Sequence, residues 1–406
     1  MGLIVQKYGG TSVADVERIR NVANRVIKTF ENGNDVVVVL SAMAGVTDNL
    51  INMAYEISER PDKRELDVLM STGEQTTIAL LAMLLIEKGY SARSLLGFQA
   101  EVATDCAFGS ARIVDIGATR IKDLLKDRHI VIVAGFQGCD AQGNITTLGR
   151  GGSDTSAVAI AASLRADVCE IYTDVDGIYT TDPNICDKAQ KLDKICYDEM
   201  LEMASLGAKV LQIRSVEFAK KYNVTIHVRS SFSEEEGTIV SHEEENMERP
   251  AVIGITSNKN ESRITLRKVP DRPGICSEIF TPLSDASIIV DMIIQNARAG
   301  GLTDVTFTVL KTDFLQAQEI SRKIAAEIGA ENVWVADDIA KVSVTGVGMK
   351  SHTGVAATMF TALAKENINI RLISTSEIRI SCVIDERYAE LAVRVLHNAF
   401  GLDKDA

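Results

Sequence analysis

No two cysteines stand in a CxxC pair, although the 406-residue chain holds seven (Cys106, Cys139, Cys169, Cys186, Cys196, Cys276 and Cys382). An odd, scattered set points to reduced thiols in a cytoplasm rather than a disulfide frame. The five histidines are equally dispersed, and no zinc-site spacing appears, so no protein-held metal is expected. Proline is scarce, at six, and aromatic residues make up only 5%. The longest apolar runs, such as "IALLAMLLI" at 78–86, fall far short of the roughly 20 residues that cross a bilayer, so no membrane span is expected. The start "MGLIVQKYGG" lacks a basic region followed by an apolar stretch and a small-residue cleavage site, and reads as a first strand rather than a secretory signal. Positive charge is also short. A net charge of -13 argues against nucleic acid as the main partner, because that partner demands a basic face. Neither the GxxxxGK[ST] of a P-loop nor a well-placed GxGxxG is present, which disfavours a P-loop ATPase and a dinucleotide-dependent dehydrogenase.

What remains is an ordinary globular composition, 46% hydrophobic and 24% charged, in a chain too long for one core. Two or three domains are expected. "LIVQKY" at 3–8 reads as a buried strand, apolar positions from Val16 to Phe30 recur with helical spacing, and "DVVVVLS" at 35–41 is a second strand. Strand, long helix and strand form a unit that parallel pairing accommodates. The pattern returns through "HIVIVAGF" (129–136), "VCEIYTD" (168–174) and "VTIHVRS" (224–230), so residues 1–230 are expected to form an α/β domain with a parallel sheet. Residues 231–249 carry seven glutamates and read as a solvated acidic linker. Beyond it, "RPGICSEIFTPLSDASIIVDMI" from Arg272 and "HTGVAATMFTALAKENINIRLI" from His352 align without a gap at an offset of 80. Gly274 matches Gly354, Phe280 matches Phe360 and Ile288 matches Ile368. Two copies of one small α+β module therefore follow, at 250–335 and 336–406, with strands open to exchange between them. A catalytic domain with duplicated modules suggests chemistry under regulation.

Two glycine-rich turns follow strands. In "KYGGTS" (7–12) and "GRGGSDTS" (149–156), backbone N–H groups and a helix N-terminus can approach an anion, and two such turns at neighbouring strand ends would frame one crevice. The simpler structural reading is tight turns with Ser12, Ser153 or Asp154 as helix caps. Lys7 at a strand end can set a point charge on a transferring phosphoryl group, or merely be solvated. Arg150 offers a planar fork for a carboxylate or phosphate, or a surface ion pair. Glu74 in "STGEQTT" falls at an apparent helix start, where capping would explain it. Spacing alone leads to an α/β enzyme that binds phosphates and a small anion, without naming the substrate.

Taken in order, "KYGGTSV", "VVLSAMAGVTD", "STGEQ", "GRGGSDTSA", "YTDVDGIYTTDP" and "LGAKVLQIRSVEFA" resemble the aspartokinases of the amino-acid kinase family, and the likeness runs the length of the chain. It implies a carbamate kinase-like catalytic domain followed by two ferredoxin-like ACT domains. The activity implied is phosphorylation of the side-chain carboxylate of L-aspartate by ATP with Mg²⁺, giving 4-phospho-L-aspartate for lysine, threonine and methionine synthesis. Arg150 then matches the clamp on the α-carboxylate and Glu74 the partner of the α-ammonium. Thr47 and Ser153 match hydrogen-bonding positions, and Ser41 lies in the same substrate-facing loop. Lys7 is the candidate that neutralises developing charge, and Asp154 the carboxylate that orients it. Gly9 and Gly10 belong to the phosphate cradle. Thr173, Asp174 and Tyr179 match the nucleotide-side loop, and Lys209 matches a lysine that reaches ATP. One departure stands out: many relatives carry arginine after "TTDP", where this chain has Asn184.

ACT modules pair side by side and bind amino acids at their interface, so the likeness implies lysine or threonine as effectors and at least a homodimer. Asp271 in "VPDRPG" and Gln295 and Asn296 in "IIQNA" match effector-binding segments. Some relatives make the regulatory part separately from an internal start, and Met247 stands where such a start would fall.

Overall fold

The computed structural model describes residues 2–206, 210–243, 250–298 and 300–403. Lys209 and Met247 lie outside the described residues. The chain divides into two compact units, one made of the residues up to 179 together with 191–247, the other of 180–190 together with the remainder from 248.

The first unit is built on strands β1 (Leu3–Tyr8), β2 (Asp35–Leu40), β3 (Ala92–Leu95), β4 (Val102–Thr104), β5 (Ile113–Ile116), β6 (Ile130–Ala134), β7 (Gln137–Cys139), β8 (Ile145–Thr147), β9 (Val168–Thr173), β10 (Ile178–Tyr179), β11 (Lys191–Leu192), β12 (Lys194–Cys196), β13 (Ile226–Ser230) and β14 (Thr238–Ser241). Its helices are α1 (Val16–Glu31), α2 (Val46–Ile57), α3 (Lys63–Glu87), α4 (Thr119–Lys126), α5 (Gly152–Leu164), α6 (Tyr197–Ser205) and α7 (Ile213–Tyr222). Eight strands form the main sheet in the order β12-β14-β13-β9-β1-β2-β6-β3. All its neighbours are parallel except β13 and β14. Helices cover the central strands on both faces, which is why β2 and β6 read as unbroken apolar runs rather than alternating ones. A small sheet, β5-β4-β7-β8, stands beside it.

Helix α5 is apolar or small on every side and buried through almost its whole length, the signature of an internal helix. It packs on β1, β2 and β9. Helix α3 is long and apolar enough, by composition, to cross a membrane, yet half of its apolar window is buried inside the unit, and it carries Asp67 and Glu74 on buried positions. It is a core helix. Glu74 stands in its middle, so the expected helix start at "STGEQ" is corrected: α3 begins at Lys63, capped by Asp62, whose side chain accepts from Arg64 and Glu65 N–H.

The acidic stretch is not a linker throughout. Thr238–Ser241 forms β14, with Thr238 and Val240 buried and paired to β13, and Thr238 Oγ1 accepts from Ile178 N–H at 2.8 Å. Glu234 closes ion pairs to Arg25 (3.2 Å) and Lys28 (3.1 Å) of α1. The short alternation in "TIVS" is masked in sequence by the glutamates around it.

The second unit holds β15 (Gly254–Asn258), β16 (Glu261–Pro270), α8 (Ile275–Asp285), β17 (Val290–Arg298), β18 (Leu302–Leu310), α9 (Phe314–Ile328), β19 (Asn332–Ala336), β20 (Ile339–Thr345), α10 (Val355–Lys365), β21 (Leu372–Thr375), β22 (Arg379–Asp385) and α11 (Ala389–Ala399). Two four-stranded antiparallel sheets result, β17-β18-β16-β19 and β15-β20-β22-β21. Each rests on its own apolar core. β15 thus belongs to the second sheet although it precedes the first in sequence, which moves 254–258 out of the first module as expected from sequence.

The segment 180–190 also departs from the expected catalytic span of 1–230, since it belongs to the second unit. Thr180 O accepts from Ile255 N–H at 2.7 Å, its hydroxyl meets His397 Nε2 at 2.9 Å, and Ile185 packs on the second module's core. Asn184 lies here, its backbone and side-chain amides both turned to Asp182 Oδ1 (2.9 and 3.0 Å).

Candidate active site

In an open α/β sheet, ligands settle outside the carboxyl ends of the strands. β1 carries parallel neighbours on both sides, β2 and β9, and at its carboxyl end opens a cleft of about 450 Å³. Lys7, Gly10, Ser41, Thr47 and Glu74 line it, together with Arg150, Ser153 and Asp154. Eight residues singled out from sequence converge on one space.

Lys7 and Asp154 form an ion pair at 2.5 Å, nearly enclosed by protein. Asp154 projects from the first turn of α5. That helix starts after Gly151, whose φ of +69° places it in the left-handed region and whose Cβ position would lie 2.4 Å from Gln212 Cγ. Glycine is therefore required there by both backbone and space. No side chain caps α5, and Ser12 Oγ meets Ser231 Oγ at 2.5 Å instead of capping. The cap readings of Ser12, Ser153 and Asp154 are excluded, and the first-turn groups of α5 face the cleft.

Glu74 is 3% exposed. One carboxylate oxygen accepts from Ala42 N–H at 3.1 Å, and the other, Oε2, is buried with no hydrogen-bond partner. Burial pushes its pKa up to about 7, against the pull of the Ala42 N–H. A buried acceptor without a donor is costly, and a cation entering the cleft would relieve it. Helix α3 approaches this closely because residue 73 is glycine: a Cβ there would lie 2.7 Å from Ala42 Cβ. Thr77 Oγ1 donates to Ser41 O at 2.9 Å, tying α3 to the loop after β2.

Gly9, Thr173, Asp174 and Tyr179, expected on the nucleotide side, do not line this cleft. Gly9 N–H donates to Tyr172 O at 3.3 Å, so the first glycine turn lies against the end of β9. Thr173 ends β9 and donates to the exposed Asp174 at 3.1 Å, and Tyr179 sits half-buried on the β10–β11 hairpin. Tyr8 and Tyr172 stack at 4.6 Å beneath these turns. Asp271, Gln295 and Asn296 belong to the second unit. There the pairings Pro270 with Leu302 and Asn296 with Asp304 bring them to one end of a sheet, with Gln295 Oε1 3.6 Å from Cys276 Sγ. Sequence reasoning missed Ala42, whose N–H orients Glu74, and Met70, Gly109 and Phe136, which wall the cleft. Only the spacing of Met70 and Glu74, one helical turn apart, could have marked any of them. Among the described residues no three His, Cys, Asp or Glu side chains gather as a metal site.

The amino acid kinase family profile matches residues 2–230, and ACT domain profiles match 264–329 and 342–400. An aspartate kinase of Stutzerimonas stutzeri is 58% identical over 407 residues, covering 100% of this chain and 99% of its own. The aspartokinase of Pseudomonas aeruginosa is 58% identical over 408 residues, with the same coverage. Among solved structures, E. coli aspartokinase III in complex with aspartate and ADP matches with a TM-score of 0.83 at 28% identity, over 98% of this chain and 99% of that one. The same enzyme with lysine and aspartate, in its T-state, matches with a TM-score of 0.78 at 29% identity, over 98% of this chain and 99% of that one. A catalytic sheet with this cleft, two ACT modules and full-length identity of this order place the chain in the aspartokinase family.

Proposed function

We propose that the cleft binds L-aspartate by its α-amino-acid end and presents the side-chain carboxylate to the γ-phosphoryl group of MgATP. The observation that carries this reading is the orphaned, buried Oε2 of Glu74 in one cleft with Arg150 and the Lys7–Asp154 pair. The α-ammonium satisfies Glu74, and the Arg150 fork takes the α-carboxylate. Ser41, Thr47 and Ser153 supply neutral hydrogen bonds. The reacting carboxylate has an ordinary pKa of about 3.9, so it is ionised at neutral pH and needs no general base. What the protein must do is bring an anion against a polyanion and hold them in line. Lys7 lies on the charge that develops between them, Asp154 holds the ammonium in place, and Gly9 and Gly10 let the backbone approach the phosphates. Thr173, Asp174 and Tyr179 face the nucleotide, whose phosphates carry the Mg²⁺. Lysine or threonine acts at Asp271, Gln295 and Asn296, in a homodimer or larger assembly. The seven free thiols favour a cytoplasmic setting.

The test is incubation with MgATP, L-aspartate and hydroxylamine, which traps an acyl phosphate as the hydroxamate. Aspartyl hydroxamate is expected, with kcat falling about 10²- to 10³-fold in Lys7→Ala and the aspartate KM rising in Arg150→Ala. No hydroxamate under any condition overturns the reading, and a flat response to lysine and to threonine overturns the effector part.

A further inference from the structure

Asp67 is fully buried on α3, seven residues before Glu74, and it does not line the cleft. Its carboxylate accepts three hydrogen bonds from two separate segments. Oδ2 takes Gly109 N–H at 3.0 Å and Thr147 N–H at 2.8 Å, and Oδ1 takes the Thr147 hydroxyl at 2.8 Å. Thr147 ends β8, three residues before Arg150, and Gly109 is a wall of the cleft. The same two segments are tied again by a second element. Arg214 of α7 donates to Leu148 O at 2.6 Å and Ala111 O at 3.0 Å, while Gln212 donates to Arg150 O at 2.9 Å. Ala111 N–H closes the frame on Thr147 O at 2.9 Å.

We propose that Asp67 is a positioning residue for aspartate: it anchors the Arg150 loop to the helix that carries Glu74, and so sets the span between the carboxylate clamp and the ammonium partner. Residues seven apart on a helix lie on one face about 10 Å apart along its axis. One rigid element therefore fixes both ends of the α-amino-acid grip, and Arg214 braces the loop against it. This rests on the proposed roles of Arg150 and Glu74. The nucleotide-side turns are not held by Asp67, so its loss acts on aspartate and spares ATP.

The experiment measures KM for aspartate, KM for ATP and kcat in Asp67→Ala, Asp67→Asn, Thr147→Val and Arg150→Ala. Asp67→Ala is expected to raise the aspartate KM about 10- to 100-fold, the scale of a misplaced clamp, with the ATP KM unchanged within about twofold. Asp67→Asn retains an acceptor for both backbone N–H groups and an amide that can donate to the Thr147 hydroxyl, so it is expected to restore the aspartate KM to near the parent value. Thr147→Val, which removes only one of the three bonds, gives a smaller rise of the same kind and carries the test if Asp67→Ala does not fold. An aspartate KM unmoved in Asp67→Ala, or in Thr147→Val where that carries the test, overturns the proposal when Arg150→Ala does raise it. Equal rises in both substrates' KM also overturn it. If Arg150→Ala leaves the aspartate KM unchanged, the reading of the site itself falls, and the Asp67 proposal with it.

Discussion

If Glu74 receives the substrate ammonium, as proposed, aspartate affinity becomes a function of pH. Burial lifts its pKa from 4.5 to about 7. At about 1.4 kcal/mol per unit, the ionised carboxylate in the free cleft is disfavoured by roughly 3 kcal/mol. In the proposed grip the substrate ammonium binds only the ionised form, so aspartate binding would draw the proton off. At pH 8 about nine carboxyls in ten are already ionised, and at pH 6 about one in ten. The apparent kcat/KM for aspartate should therefore fall about tenfold from pH 8 to pH 6, with a limiting slope of one decade per pH unit well below 7. The assay is coupled ADP release at saturating ATP, with aspartate varied at each pH. Calorimetric titration at pH 7 in two buffers of different ionisation enthalpy should register about half a proton released per aspartate bound. Glu74→Gln should lose the slope and lower kcat/KM about 10²-fold or more, since it withdraws the charge that partners a buried cation. A wild-type profile flat from pH 6 to 8, or a Gln variant that keeps the slope, refutes the reasoning.

The same carboxylate costs stability in the free enzyme. Because its folded pKa is raised, its stabilising contribution is complete below about pH 4.5 and is lost as pH rises to about 7. Glu74→Gln is therefore expected to raise the melting temperature of the substrate-free protein at pH 8 by several degrees while lowering activity, and an unchanged or lowered value counts against the burial argument. In the second unit, Lys341 of β20 is 4% exposed and paired with Glu261 of β16 and Asp291 of β17, across the two sheets. Lys341→Met leaves Glu261 buried without its cation and should destabilise that unit by about 3 to 5 kcal/mol, read as an early transition in denaturant unfolding.

The cleft was largely legible in sequence because its chemistry is concentrated in short turns at strand ends. Lys7, Arg150 and Asp154 each lie in or beside a glycine turn, and the apolar strands before them fix where those turns must be. Glu74 was legible as a residue and misread as an element, since "STGEQTT" has the polarity of a helix start. Its surroundings explain this. Ser71 and Thr72 donate back to carbonyls of their own helix, and Gly73 is there for the approach of Ala42, so a run that looks like a boundary is the middle of a buried helix. Asp67 carried no such signal, because its partners are backbone groups at 109 and 147 that only the fold brings to it.

The regulatory half shows a different limit. The repeat at an offset of 80 correctly marks a glycine-led helix and the strand after it, Gly274–Asp285 with β17 and Gly354–Lys365 with β21. What it cannot mark is the strand that fills the fourth place in each sheet. In the first module β19 fills it from downstream, pairing with β16 from Arg267 with Asn332 to Arg263 with Ala336. In the second, β15 fills it from upstream, pairing with β20 from Gly254 with Thr345 to Asn258 with Lys341. An edge position asks only for a strand of suitable alternation within reach, and β16 has one on either side in sequence, β15 before it and β19 after it, of which the first sheet takes β19 and leaves β15 to the second. A boundary drawn at 335 from the repeat therefore severs the second sheet from its own edge. A fragment starting there should expose the N–H and C=O groups of β20, whereas one starting before Gly254 retains all eight strands of the two modules.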